Sequence, residues 1–173
     1  MNPALPKNNK LDATRKSGVN IFKILILAVS SFFYAGYLPL IPGTFASAIG
    51  VFLFYLVKDS IVNFSLLTSV LIILGFLFCG KAENIIGKND PRYVVIDEVS
   101  GMLISFTLIP FDLKLIVIGF LMFRLLDTLK PYPACRLQNL KGSLGIMSDD
   151  LIAGVYTNII LQVVLNFTSF KTS

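Results

Sequence analysis

The chain has 173 residues, 55% hydrophobic and 14% charged, with a mean hydropathy of +0.78 and a net charge of +5. Soluble domains carry about 25% charged residues, so this composition argues against an ordinary soluble domain and for one integral membrane domain. The basic residues are dispersed and membrane-proximal, which excludes a nucleic-acid partner, and two cysteines without CxxC spacing exclude a disulfide framework or a zinc site.

Residues 1–18 read as a polar basic tail, with Lys7, Lys10, Arg15, Lys16 and Lys23 preceding or entering the first apolar run. A basic tail before an apolar segment predicts a cytoplasmic anchor near anionic lipid heads. It is long for a signal-peptide n-region, and the cleavage pattern near Ala35-Gly36 is poor. The membrane domain is expected at 19–168. Apolar segments at about 20–35, 45–57, 61–79, 94–109, 115–126 and 151–167 predict helices, because only helices and closed barrels satisfy the backbone in lipid. The nearly unbroken apolar run from Ile61 to Phe78 lacks the alternation of a barrel strand. The rival is a very greasy soluble helical domain, since some runs are short of the about 20 residues that a span needs.

Basic residues gather in the tail, at 80–93 and at 128–148, so these segments are expected in the cytoplasm and the turns near 58 and 112 outside. One of the first two apolar segments then does not cross fully; 20–35 is expected to lie in the interface or re-enter. The result is an all-α, multi-pass helical bundle of about four or five spans with a cytoplasm-facing site.

Five of the ten acidic side chains sit in or against apolar stretches. A carboxylate in apolar surroundings costs several kcal/mol unless paired or metal-bound. Asp97 and Glu98 begin the fourth apolar segment. The helix macrodipole favours acids there and accounts for one of them, while neighbouring acids point about 100° apart, so a single cation would more naturally take one. Gly101, one turn on, would let another helix approach closely. Arg124 and Asp127 share a helix face at i, i+3, as a local ion pair or as a phosphate ligand beside a metal ligand, with Lys130 following. Asp149 and Asp150 precede the last segment. Capping by Ser148 or Asp149 needs only one acid, and Gly142 and Gly145 would bring backbone N–H groups near an anion. Pro42-Gly43-Thr44 with Ser47 reads alone as a turn and helix cap. It gains weight from falling on the same membrane face as the acids. Carboxylates of this kind suit Mg2+, which prefers oxygen ligands and accompanies phosphates.

Elimination narrows the chemistry. Histidine is absent, so phosphohistidine mechanisms are impossible. Neither Cys79 nor Cys135 has an arginine six positions on, there is no Asp-x-Asp, and the Asp-Gly-x-x-Ala-Arg signature of CDP-alcohol phosphotransferases is missing.

Four stretches together resemble bacterial phosphatidylglycerophosphatase A: Leu-Pro-Leu-Ile-Pro-Gly-Thr at 38–44, Asp-Glu-x-x-Gly-Met at 97–102, Phe-Arg-x-x-Asp-x-x-Lys-Pro-x-Pro at 123–133 and Gly-Ile-Met-x-Asp-Asp at 145–150. Two positions depart from the family pattern: Ala46-Ser47 where Gly-Ser is usual, and Ser143 where a glycine is expected. The resemblance implies an Mg2+-dependent hydrolase of the inner membrane that converts phosphatidylglycerophosphate to phosphatidylglycerol and phosphate. On that reading Asp97, Glu98, Asp127, Asp149 and Asp150 are catalytic and metal-binding, and Arg124, Lys130, Gly43 and Thr44 bind the substrate phosphate. The competitors are a small cation transporter, which places the acids at mid-depth, and an assembly subunit whose acids meet a partner's basic residues.

Overall fold

The computed structural model describes residues 21–38 and 41–167. The predicted tail at 1–18 and Pro39-Leu40 of the proline-rich break lie outside the described residues. Among the described residues there are seven α-helices, a 3-10 turn at Ala35–Tyr37 and no strand. The helices are α1 (Ile21–Ser30), α2 (Pro42–Val57), α3 (Ile61–Ile86), α4 (Ile96–Ser105), α5 (Leu113–Leu129), α6 (Ala134–Leu137) and α7 (Ser143–Phe167).

Local chemistry sets these limits. Proline suits the first turn of a helix, where its missing N–H costs nothing, and α2 starts at Pro42. Ser60 caps α3 by accepting the Asn63 N–H at 3.3 Å. The same helix ends at Gly87, which adopts φ +73 and donates its N–H to the Glu83 carbonyl at 2.8 Å. Asp112 caps α5 by accepting from the Lys114 and Leu115 N–H groups at 2.8 and 3.2 Å.

The short α4 is the centre of the bundle. Ile96, Val99, Met102, Leu103 and Phe106 are buried along it. It lies against α2, where a Cβ on Gly50 would come within 2.7 Å of Met102 Cβ. On its other side α7 crosses at Gly101, where a Cβ would meet the Asp150 carbonyl oxygen at 2.6 Å. The close helix approach expected at Gly101 is therefore present. The Val95 N–H donates to the Ser30 carbonyl at 3.0 Å and ties α1 to the start of α4.

The outer faces are apolar. Leu113, Val117, Leu121, Leu125 and Leu129 are exposed along α5, and Val155, Ile159, Val163 and Phe167 along α7. A four-residue spacing places each set in one stripe, and soluble proteins rarely expose apolar surface on this scale. Two helices, α3 and α7, with 26 and 25 residues, are long and apolar enough to cross a bilayer. Of the four or five crossings expected, length and composition carry these two. At 1.5 Å per residue, the 10-residue α1 spans about 15 Å, half of a bilayer core of about 30 Å.

Two boundaries differ from the sequence reading. The third helix does not stop at 79 but continues to Ile86, its polar end carrying Glu83 and Asn84 along one side of a cavity, and ends where Gly87 takes the left-handed conformation. The last helix begins at Ser143 rather than 151. The Ser143 hydroxyl accepts the Gly80 N–H at 2.7 Å, so the start of α7 is pinned to α3.

Candidate active site

The first turn of α4 carries Asp97 and Glu98, and no side chain caps that helix. The crossing at Gly101 brings α7 close enough for Asp150 to join them. One carboxylate oxygen from each of Asp97, Glu98 and Asp150 lies within 4.8 Å of the others. The expected divergence of neighbouring acids is corrected here: both Asp97 and Glu98 reach the same point. Asp97 and Asp150 are buried and Glu98 is half-buried. Asp97 Oδ1 and Glu98 Oε2 are buried without a hydrogen-bond partner among the described residues, as is Asp149 Oδ1.

Three like charges sharing a buried space are unfavourable unless a counter-charge joins them. The donors are all carboxylate oxygens, which suits a hard divalent cation. Mg2+ holds oxygen at about 2.0–2.1 Å, so ligand oxygens across the ion are about 4.2 Å apart; the three oxygens, all within 4.8 Å of one another, are already near that separation. Oxygen identity, spacing and the orphaned atoms fit such an ion.

Two ion pairs border the three carboxylates. Arg124 Nη1 donates to Asp127 Oδ2 at 2.8 Å across one turn of α5. Lys130, in the left-handed region at the end of α5 with φ +45, pairs with Asp149 on α7. Burial alone would lower the Lys130 pKa, but the hydrogen bond and charge of Asp149, with Asp150 and Asp90, outweigh it and hold Lys130 above the usual lysine value. Asp127 also faces Asp150. The Tyr156 hydroxyl donates to the Tyr132 carbonyl at 2.8 Å and fixes the segment after Lys130 to α7.

The start of α2 completes the site. A Cβ on Gly43 would stand 2.6 Å from Glu98 Oε1 and 3.2 and 3.3 Å from the two terminal nitrogens of Arg124. Glycine at this position leaves the space where Glu98 and Arg124 approach. Thr44 is half-buried one residue on, and the Ser47 hydroxyl donates to the Gly43 carbonyl at 2.9 Å.

With these contacts the four sequence motifs become one place. The family model for phosphatidylglycerophosphatase A matches residues 28–165. The chain belongs to the phosphatidylglycerophosphatase A family. A protein of Escherichia coli (strain K12) named phosphatidylglycerophosphatase A is 31% identical over 163 residues, covering 92% of each chain. One of the same name from Haemophilus influenzae is 32% identical over 142 residues, 80% of this chain and 86% of the relative. A Bacteroides thetaiotaomicron protein provisionally named a phosphatidylinositol-3-phosphatase is 32% identical over 151 residues, 80% of this chain and 92% of the relative. No solved structure matches. Membership of the phosphatidylglycerophosphatase A family makes the chain a phosphatase.

Within this family site the structure revises two local expectations. Asp149 and Asp150 lie inside α7, six and seven residues past its first residue, and do not cap it. In the Gly142-Gly145 stretch the Gly145 N–H is not free for an anion as expected, because it donates to the Gly142 carbonyl at 3.1 Å, as does the Ile146 N–H at 3.3 Å. Ser143, where the family pattern has glycine, holds Gly80 instead. Glu83 and Asn89 were not singled out by sequence, yet they line a cavity that reaches Asp149. Their only sequence signal is polarity at the end of a long apolar run.

Proposed function

We propose that this phosphatase removes the terminal phosphate of phosphatidylglycerophosphate, giving phosphatidylglycerol and inorganic phosphate with Mg2+ as cofactor. The observation that carries the reading is the convergence of Asp97, Glu98 and Asp150, with orphaned oxygens, beside Arg124 and Lys130 in an otherwise apolar bundle. Asp97, Glu98 and Asp150 would hold Mg2+, with Asp127 and Asp149 beside them. A bound Mg2+ supplies charge stabilisation at phosphoryl oxygens and a more acidic water.

The chain's own groups bind and orient. The planar fork of Arg124 suits two phosphoryl oxygens, and Lys130 adds a point charge. Their partners Asp127 and Asp149 keep both cations aimed before substrate arrives. Gly43 keeps the phosphate approach open, and Thr44 offers a hydroxyl in the same turn. Hydrolysis forms a P–O bond to a water oxygen and breaks the P–O bond to glycerol. The water proton ends on the departing glycerol oxygen, and Glu98, unless it serves only as a ligand, is the base that first takes it.

The reading includes a membrane-embedded domain at 19–168. Its four or five crossings use α2 and α5 as well, at 16 and 17 residues, with local bilayer thinning. Exposed apolar stripes on α3, α5 and α7 support the embedding. The basic stretches 80–93 and 128–148 support a site facing the cytoplasm of a bacterial inner membrane. Acids gathered near helix ends on α4 and α5 support an enzyme over a cation pathway through the bundle's middle.

The test is phosphate release from phosphatidylglycerophosphate in detergent micelles, with Mg2+ or EDTA, for wild type and Asp150→Asn. Release that needs Mg2+ and is lost in the variant supports the reading. No release by folded wild type in Mg2+ sinks the substrate assignment. The Bacteroides relative's name favours a second lipid monoester, phosphatidylinositol 3-phosphate, as the next substrate to assay.

A further inference from the structure

A cavity of about 770 Å³ lies between the second half of α3 and the start of α7, within the size range of ligand sites. Lys81, Lys88 and Lys141 line it, with Phe76 and Leu77 at its edge. A second cavity of about 470 Å³ shares Lys141, Glu83 and Asn89 with the first and reaches Asp149. The two are neighbours, and the second ends at the carboxylate that pairs with Lys130.

The three lysines make no ion pair among the described residues, where the pairs are Lys58–Asp59, Arg124–Asp127 and Lys130–Asp149. Within the first cavity Glu83 offsets one of their charges and leaves an excess of two, while Asp90 and Asp149 line only the second of the two, towards the acidic centre. The Lys81 ammonium lies 5.3 Å from the centre of the Phe78 ring, which steadies it without neutralising it. Cations gathered on one cavity repel each other, and an anion between them removes that cost. The apolar edge narrows the choice of anion. Phe76 and Leu77 are exposed and follow Val62, Leu66, Val70 and Ile73 along α3, so the cavity opens onto an apolar stripe. A ligand that fits is an amphiphile with an anionic group between its acyl chains and its head.

Resting on the phosphatase reading above, the geometry points to a phosphodiester subsite: Lys81, Lys88 and Lys141 hold the diester of the lipid substrate while its terminal monoester reaches the acidic centre. Phosphatidylglycerophosphate carries both groups, one glycerol apart. Phosphatidic acid carries only the monoester. The subsite therefore selects lipids with a diester behind the phosphate to be cleaved, and it acts on binding rather than on the chemical step.

The test compares wild type, the triple variant K81Q/K88Q/K141Q and the triple variant K81R/K88R/K141R in mixed micelles. With phosphatidylglycerophosphate, KM rises about tenfold in the glutamine variant, kcat stays within about twofold, and arginine restores KM, since it keeps the charge. With phosphatidic acid the three proteins are alike. An unchanged KM, or equal losses on both lipids, overturns the subsite. Wild-type turnover of phosphatidylglycerophosphate is the separate check on the phosphatase reading. Should that turnover be absent, thermal protection by phosphatidylglycerol micelles, which present the diester alone, still tests the lysines. Protection of wild type but not of the glutamine variant supports the subsite. Equal protection of both proteins, or equal protection of wild type by inorganic phosphate or by diacylglycerol in the same detergent, which lacks the diester, overturns it.

Discussion

Gly43→Ala separates activity from stability at this site. The new Cβ would stand 2.6 Å from Glu98 Oε1, about 0.8 Å inside ordinary van der Waals contact at 3.4 Å. It would also crowd both terminal nitrogens of Arg124, at 3.2 and 3.3 Å. All three atoms are ends of flexible side chains, so they move and the backbone stays. Alanine is also the better helix former, by up to about 1 kcal/mol, so the melting temperature is expected to hold or rise slightly. Catalytic groups tolerate little displacement, and about 1 Å of misplacement costs up to about 100-fold. A shift near 0.8 Å in Glu98, with Arg124 turned aside, is expected to lower kcat/KM by about 10- to 100-fold, or about 1.4–2.7 kcal/mol. The assay is phosphate release from phosphatidylglycerophosphate in Mg2+, with thermal unfolding in detergent measured on the same preparations. Full activity in a folded Gly43→Ala protein would refute the placement of Glu98 and Arg124 in the catalytic centre. A melting temperature lowered in proportion to the activity would refute the separation.

Asp150→Asn removes one of three crowded carboxylates, so in EDTA its melting temperature is expected to exceed wild type's by about 2–4 °C per kcal/mol of repulsion relieved. Mg2+ at about 100 times its dissociation constant should stabilise wild type by about 2.7 kcal/mol and the variant by much less, read as the shift in thermal unfolding. Gly101→Val places atoms against the Asp150 carbonyl at 2.6 Å and the Phe123 ring at 2.8 Å. Backbone cannot step aside as Glu98 can, so the cost is about 1–3 kcal/mol or more in denaturant or thermal unfolding. Lys130→Met leaves Asp149, with 7% of its side chain exposed, without its cation; a loss of about 2 kcal/mol is expected, largely recovered by adding Asp149→Leu, though activity is not. The Lys130 pKa is raised in the folded protein, so the pair's contribution is complete below the usual lysine value of 10.5 and is lost only as pH rises through the higher folded value. Thermal unfolding from pH 6 to 9 should therefore show no change traceable to the titration of Lys130.

Much of the site was legible because its signals are local. An acid in an apolar run is conspicuous wherever it lies, and the i, i+3 spacing of Arg124 and Asp127 already placed them on one face before the 2.8 Å contact was known. Gly101, one turn from Asp97, could be read as a close helix crossing for the same reason. The partners across helices were not legible. Nothing near Lys130 in sequence indicates Asp149, nineteen residues on, and nothing near Glu98 indicates that Gly43 leaves it room. The start of α7 was misread because Gly142 and Gly145 look like a loop. The contact that makes the helix begin there, Gly80 with Ser143, spans 63 residues. Span count is hard to read for a related reason: α4 has 10 residues and is buried by its neighbours, so its apolar character reports packing as much as lipid.

The division of the five acids bears on how the site handles charge. Arg124 and Lys130 each hold one, Asp127 and Asp149, and so offset two of five negative charges at full ionisation. Asp97, Glu98 and Asp150 keep three, in a space too small for them to avoid one another. One divalent cation would offset two of these and leave the resting centre with a single net negative charge. An arriving phosphate monoester then adds up to about two negative charges, which the centre cannot accept unless cations turn towards it. The two ion pairs are placed for that exchange. Arg124 is one turn from Asp127, Lys130 sits at a helix end, and the cations are a quarter exposed where Asp97 and Asp150 are buried. On the proposed reading, Asp127 and Asp149 would keep the two cations in place between turnovers, and substrate would compete with them for the same donors. Phosphate affinity would then depend on how tightly these two aspartates hold, and that control would lie outside the three carboxylates proposed to hold Mg2+.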